Sequence, residues 1–143
     1  MSLFRALEAS ASALTAERVR MEAIAGNLAN ANTTRGPGGP YRRKVVLFAP
    51  LVSRFLASLG PVAGGEAQGV VVAGIVEDPT PPRRVYDPGH PDADAEGFVT
   101  LPNVNPAVEM VDLIASARAY EANVIALNTT KQVILKALEI GRR

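Results

Sequence analysis

Apolar residues recur at every seventh position along the N-terminal part of the chain. One position of this heptad is apolar throughout: Leu7, Leu14, Met21 and Leu28. Phe4, Ala11 and Ala25 stand three residues before or four residues after members of that row. Residues with these spacings share one side of an α-helix. The pattern therefore predicts one long helix with a single apolar stripe, from about Ser2 to Ala31.

A second heptad pattern runs from Asn105 to about Ile140. Two of its positions are apolar, one held by Met110, Ala117, Val124 and Leu138, the other by Leu113, Tyr120, Leu127 and Ile134. Asn105 is a good N-cap, Pro106 suits the first helical position, and Gly141 is a plausible end. Five heptads of this kind predict a coiled-coil helix about 50 Å long.

The residues between the two helices differ in composition, since they include most of the glycines and all but one of the prolines. Four short runs are rich in strand-forming residues: 41–48, 69–77, 83–86 and 98–101. Residues 51–59 are ambiguous and are also compatible with a short helix. We interpret residues 33–104 as a small antiparallel β-domain with a loop-like tail at 78–82, which alone can bury only a thin core.

These patterns predict a mainly α fold with a small β insert, divided into residues 1–32, 33–104 and 105–143. An isolated helix gains little stability from propensity, so the two apolar stripes should pack on each other as a coiled coil. Further apolar residues lie beside the stripes: Leu3, Ile24, Val111, Ile114 and Leu135. They indicate helix neighbours from other subunits, and we expect the ends of a free monomer to order only on assembly.

Composition excludes several classes of function. The chain has no cysteine, so it offers neither a disulfide nor a thiolate metal site. A formal net charge of +1 gives no strong attraction to nucleic acid or to an anionic membrane. The apolar runs at 45–52 and 69–76 are far shorter than the roughly 20 residues that span a bilayer. Arg5 and Glu8 interrupt the N-terminus, which therefore does not resemble a secretory signal.

The most site-like segment is residues 87–97 (DPGHPDADAEG). Its acidic residues imitate the start of an EF-hand loop, but the twelfth position is Asn103 instead of a bidentate glutamate. His90 with Asp92 and Asp94 is a weak metal pattern, because one histidine with loop carboxylates rarely suffices. We expect a rigid turn with Asx-type hydrogen bonds, and no metal, cofactor or catalytic residue.

Polar side chains on or beside the helical stripes permit two interpretations. Asn27, Asn30 and Asn32 either end the first helix or bond between packed helices. The same alternatives hold for a second group, Arg118, Tyr120 and Asn123. Basic pairs at 42–43, 83–84 and 142–143 lack the wide face and interleaved aromatics of a nucleic-acid site. They are interpreted as solvated charges, with a surface contact to an acidic neighbouring subunit as the alternative.

Three segments resemble the flagellar basal-body rod protein family. Residues 13–34 (ALTAERVRMEAIAGNLANANTT) are similar to the N-terminal motif shared by flagellar rod and hook proteins. Residues 103–131 (NVNPAVEMVDLIASARAYEANVIALNTTK) are similar to the matching C-terminal motif, although Pro106 and Ala107 depart from it. Residues 86–105 (YDPGHPDADAEGFVTLPNVN) resemble a signature of the proximal rod.

The resemblance implies a structural subunit without enzymatic activity. Family members are exported by the flagellar type III apparatus without a cleaved signal, and they assemble helically in the periplasm around an export channel. The partners implied are other copies of the chain, other rod proteins, MS-ring/rod junction proteins and the export apparatus. Mapped here, Phe4 to Leu28 and Met110 to Leu138 would be packing helices. Residues 27–34 and the 87–105 loop, with Asp87, His90, Asp92 and Asp94, would contact other subunits.

Two other functions remain compatible with the residue patterns alone. A soluble coiled-coil adaptor would dimerise through its C-terminal helix and form a small, defined oligomer. A metal-dependent enzyme would have to centre on His90, the single histidine of the chain.

Overall fold

The structure is a computed structural model that describes residues 3–51 and 68–141. Its elements, in chain order, are α1 (Leu3–Ala29), β1 (Lys44–Pro50), β2 (Val70–Glu77), β3 (Arg83–Tyr86), β4 (Phe98–Leu101) and α2 (Pro106–Ile140). The predicted mainly α fold with a small β insert is confirmed. The ambiguous segment 51–59 lies, apart from Leu51, outside the described residues.

Local hydrogen bonds mark the end of α1 and both ends of α2. The Asn30 side chain donates to the carbonyl of Gly26 at 2.9 Å, just after the last residue of α1. At the start of α2, the Asn105 side chain accepts from the amide of Ala107 at 3.1 Å, and Pro106 is the first helical residue. At the end of α2, the amide of Gly141 donates a hydrogen bond to the carbonyl of Ala137 at 3.2 Å. The predicted start and end of α2 are confirmed.

The four strands form two separate antiparallel pairs within the described ranges. β1 pairs with β2 from Lys44 opposite Glu77 to Pro50 opposite Val70, with a bulge between Leu47 and Phe48. β3 pairs with β4 in a shorter ribbon. A two-stranded ribbon is marginally stable alone. The β1–β2 pair packs on α1, where the amide of Val70 donates to the Ser12 hydroxyl at 3.1 Å.

The two helices pack on each other and run antiparallel. Ser116 donates to the Glu17 carboxylate at 2.8 Å, and Asn27 donates to the Glu109 carboxylate at 2.9 Å, so residue numbers rise along α1 as they fall along α2. α1 has 27 residues and α2 has 35. The last turns of α2 therefore extend past α1, and residues 131–141 are exposed apart from the half-buried Ile134.

Candidate assembly interface

The face of α2 that packs on α1 has one apolar and one polar heptad position. The apolar position is the predicted row Leu113, Tyr120, Leu127 and Ile134, all half-buried. The second position is Glu109, Ser116, Asn123 and Thr130, of which the first two are fully buried. The second predicted row stands one residue away. Its members Met110 and Leu138 are 57% and 66% exposed, whereas Ala117 and Val124 are half-buried.

The predicted stripe of α1 lies beside the line of deepest burial instead of on it. Leu7, Leu14, Met21 and Leu28 are half-buried, and Phe4 is 70% exposed. The buried residues of this region are Ala16, Ile24, Asn27 and Ala31. Among residues 3–51 and 68–141, α2 and the β1–β2 pair pack on α1. The covered surface is therefore wider than one heptad stripe and is centred elsewhere.

Asn27 joins the end of α1 to the start of β1 and to α2. Its amide nitrogen donates to the Lys44 carbonyl and to the Glu109 carboxylate, both at 2.9 Å. Its amide oxygen accepts from the Lys44 amide at 2.8 Å and from the Tyr41 hydroxyl at 2.9 Å. All four hydrogen-bonding positions of this fully buried side chain are thus used.

Arg43 completes this polar cluster. Its Nε donates to Glu109 at 2.5 Å, and its two terminal nitrogens contact Asp78 at 3.3 Å and Asp112 at 3.4 Å. The predicted solvated charge is therefore wrong for Arg43, because three carboxylates from other parts of the chain surround its guanidinium. We call Asn27, Arg43, Asp78, Glu109 and Asp112 the polar hub.

Burial, hydrogen bonds and charges shift the pKa values of two members of the polar hub, Arg43 and Asp78, and of the neighbouring Tyr41. Burial opposes the charge of Arg43, but its hydrogen bond and ion pair with Glu109 outweigh burial and raise its pKa. Hydrogen bonds from Thr80 and then Arg43 lower the pKa of Asp78. Burial, followed by the negative charge of Glu109, raises the pKa of the Tyr41 phenol. The Arg43 guanidinium and the Asp78 carboxylate are thus both stabilised in the charged form.

Local sequence patterns do not indicate that Arg43, Glu109, Glu17 or Ser116 form contacts between elements. Glu109 carries the usual signal of an acidic residue in the first turn of a helix, which normally remains exposed. Its burial depends on a guanidinium 66 residues away in the sequence. No local pattern reports such a contact.

The aspartate loop, residues 87–97, forms hydrogen bonds with the segment that follows α1. Asp92 accepts hydrogen bonds from the Thr34 hydroxyl at 2.5 Å and from the Arg35 side chain. The bond from Thr34, followed by that from Arg35, lowers the pKa of the Asp92 carboxyl. The two segments that the resemblance assigns to subunit contacts are thus brought together within one chain.

Inside the aspartate loop, side chains accept from nearby backbone amides. Asp94 accepts from the amides of Glu96 and Phe98, both at 2.9 Å, and Asp87 accepts from the amide of Gly89 at 3.3 Å. The predicted Asx-type hydrogen bonds are therefore present. His90 is half-buried, and its Nδ1 accepts from the amide of Asp92 at 3.0 Å. Asp87 and Asp94 are exposed.

Some of the polar helix residues for which the sequence allowed two interpretations bond between elements, and others bond within their own helix or are exposed. Asn27 bonds between elements, whereas Asn30 bonds within its own helix end and Asn32 is exposed. On α2, Asn123 donates to the Ala119 carbonyl at 2.8 Å, and Arg118 is exposed. Tyr120 is half-buried in the apolar row.

Within residues 3–51 and 68–141, no group of three or more acidic or histidine side chains is arranged to hold a metal ion. Neither described helix combines the length and the apolar content that a bilayer crossing needs.

The side of α2 turned away from α1 carries large apolar residues. Val111, Ile114 and Ile125 are 65%, 59% and 66% exposed. At about 100° per residue, Ile125 lies about 180° around the helix from the buried Ser116. We call Val111, Ile114 and Ile125 the outer face of α2. Large apolar residues exposed on one side of a helix make that side a candidate interaction surface.

Comparison with known proteins defines the class. The family described as "Flagella basal body rod protein" matches residues 7–37. The family described as "Flagellar basal body rod FlgEFG protein C-terminal" matches residues 95–140. Both segments contain parts of the α1–α2 pair, and both families are flagellar basal-body rod proteins.

Several relatives align along almost the whole chain. The flagellar basal-body rod protein FlgC of Bacillus subtilis is 49% identical over 99% of this chain and 100% of its own length. FlgC of Borreliella burgdorferi is 44% identical over 98% of each chain. FlgC of Escherichia coli O157:H7 is 41% identical over 99% of this chain and 100% of its own length. The chain belongs to the FlgC family of flagellar basal-body rod proteins.

Proposed function

We propose that this chain is a structural subunit of the flagellar proximal rod, within the basal body. Copies of it would polymerise helically with other rod proteins into a shaft that transmits torque and encloses an export channel. The proposal includes export by the type III apparatus without a cleaved signal, a periplasmic position, and contacts with junction proteins of the MS ring. It includes no enzymatic activity.

The outer face of α2 is the observation that carries this proposal. A monomer that left Val111, Ile114 and Ile125 in water would give up the stabilisation available from their burial. Open head-to-tail contacts between identical subunits generate a helical assembly when the rotation does not close. Long helices packed side by side resist twisting because many small contacts add up.

The soluble-adaptor alternative is not favoured by the fold. A dimer through the C-terminal helix would use the heptad rows of α2. The row Leu113, Tyr120, Leu127 and Ile134 is half-buried, and α1 of the same chain already packs on α2. Exposed apolar residues also lie on the outer face, where subunits of a tube can meet.

A charged outer face tests the proposal. In a flagellated bacterium lacking its own copy, we would express the double variant Ile114→Asp, Ile125→Asp. We expect a folded, exported protein that fails to restore swimming in soft agar, because two buried and unpaired carboxylates prevent packing between subunits. Purified basal bodies should lack the rod.

Asn128→Asp is the matched control, because it adds one negative charge at an exposed polar position of the same helix. It should restore swimming and rod assembly. Circular dichroism of each purified variant separates an assembly defect from unfolding. Normal rods and swimming with the double variant would refute the assignment of the outer face to subunit packing.

A further inference from the structure

The apolar part of the contact between α1 and α2 does not specify one alignment. The half-buried apolar residues repeat every seventh position on both helices, so sliding one helix by seven residues again places apolar side chains against apolar side chains. The buried nonpolar residues of α1 are small or few, namely Ala16 and Ile24. Sliding would therefore lose little apolar burial.

The polar position of the same contact behaves differently. Glu109 and Ser116 form hydrogen bonds across to α1, whereas Asn123 and Thr130 donate to carbonyls of their own helix. The cross-helix bonds thus concentrate at the end that contains the polar hub. Sliding by one heptad would carry Asn27 toward Ser116 and separate it from Glu109.

The polar hub also ties this alignment to the β1–β2 pair. Arg43 immediately precedes β1, and Asp78 immediately follows β2. The Arg43 guanidinium bridges Asp78 to Glu109 on α2, while Asn27 bonds to both backbone groups of Lys44. Buried side-chain nitrogens and oxygens all have partners among the described residues. Any other alignment would leave several of these groups buried without partners.

We propose that the polar hub is a register lock. It selects one antiparallel alignment of α1 on α2 within the chain, and it prevents either helix from pairing one heptad out of register or with the helix of another copy. A single buried polar residue has this role in some coiled coils. The inference rests on the proposed function only in assuming that neighbouring copies present the same helices.

Engineered cysteine pairs can read the alignment, because the chain contains no cysteine. Glu17→Cys with Ser116→Cys joins two positions that are hydrogen-bonded in the structure. Glu17→Cys with Asn123→Cys joins positions that would meet after a slide of one heptad. Both pairs are placed in the otherwise unchanged chain, and the rate of disulfide formation within dilute monomer is measured.

With the polar hub intact, the 17–116 pair should form at least about ten times faster than the 17–123 pair, because misalignment breaks a buried ion pair. In the apolar-hub variant (Asn27→Leu, Arg43→Met, Glu109→Leu), the ratio should fall below about three, and disulfides between chains should appear. Glu109→Gln should give an intermediate ratio, because it removes the ion pair and one of the two hydrogen bonds but keeps one accepting oxygen.

Arg18→Leu with Glu22→Leu is the matched control. It replaces an exposed ion pair of α1 by apolar residues without touching the hub, and its ratio should equal that of the parent chain. A helical apolar-hub variant that keeps a ratio of about ten or more would overturn the register lock. Loss of helix content in that variant would also overturn it, because the hub would then be required for folding itself. Either failure would leave the rod assignment untouched, since swimming and basal bodies test that separately.

Discussion

Removing the guanidinium of Arg43 is expected to destabilise the chain more than neutralising the carboxylate of Glu109. The Glu109 side chain is 1% exposed, and Arg43 is the cation that forms its salt bridge. Breaking a buried pair by removing one partner costs about 3–5 kcal/mol. Because the Arg43 side chain is 24% exposed, we expect Arg43→Met to cost about 3 kcal/mol, the lower end of that range.

The reverse change leaves the Arg43 guanidinium with two carboxylate partners. In Glu109→Gln, Arg43 keeps Asp78 and Asp112 within 3.3 and 3.4 Å. The single glutamine oxygen replaces two carboxylate oxygens, so the hydrogen bond from Asn27 or the one from Arg43 is lost. That loss costs about 1–2 kcal/mol. The two variants should therefore differ by about five- to thirtyfold in their unfolding equilibrium constants.

Urea unfolding followed by helical circular dichroism, on dilute monomer, measures these free energies. Arg42→Met is the control, because Arg42 is an exposed arginine one residue away, and it should change the unfolding free energy by less than about 0.5 kcal/mol. An Arg43→Met variant no less stable than Glu109→Gln would refute the reasoning about the hub.

Three further predictions concern the loops and the start of α2. The Thr34 and Phe98 hydrogen bonds lower the pKa values of Asp92 and Asp94, respectively, below the ordinary 3.8. The stability that the ionised carboxylates of Asp92 and Asp94 contribute should be complete above pH 3.8 and should disappear as pH falls through their lowered pKa values in the folded state. Amide hydrogen exchange of the aspartate loop measures this loss. Gly97→Ala should cost about 1–2 kcal/mol in urea unfolding, because Gly97 has φ +82° and an added Cβ would lie 2.9 Å from the Tyr86 ring. Gly89→Ala, with ordinary φ, should cost less. Asn105→Ala should cost about 1 kcal/mol by removing the N-cap, with Asn128→Ala as the control.

Local signals in the sequence were sufficient to predict most of the secondary structure. The Asn105–Pro106 pair marks the start of α2 because capping depends on adjacent residues. Strands β3 and β4 fall at the predicted residues, and β1 is displaced by two or three residues toward Pro50. Strand ends are set by pairing with a partner, such as Lys44 with Glu77, which the local sequence does not report.

The candidate site was harder to predict because its central residues are polar. A hydrophobic pattern selects Met110, Ala117, Val124 and Leu138 as the second row of α2, since these residues are apolar. The row that packs on α1 lies one residue away and contains Glu109 and Ser116. Because these residues are polar, a hydrophobic pattern does not select them. The partners of Arg43 lie 35, 66 and 69 residues away in the sequence, and only the folded chain brings them together.

The distribution of side chains on α2 is inverted relative to that of an ordinary monomeric helix. Its fully buried residues are Glu109 and Ser116, whereas Ile114, Ile125 and Leu138 are mostly exposed. Large aliphatic residues normally fill the interior, and charged residues are seldom fully buried unless paired. Two roles explain this inversion. Buried polar side chains set the alignment of α1 and α2 within the chain, because their hydrogen bonds tolerate few arrangements. The exposed apolar residues of α2 remain available for contacts with neighbouring copies. On this view, most of the hydrophobic stabilisation of the helices arises only when copies meet, so the outer-face and polar-hub variants should impair different steps, assembly for the first and alignment for the second.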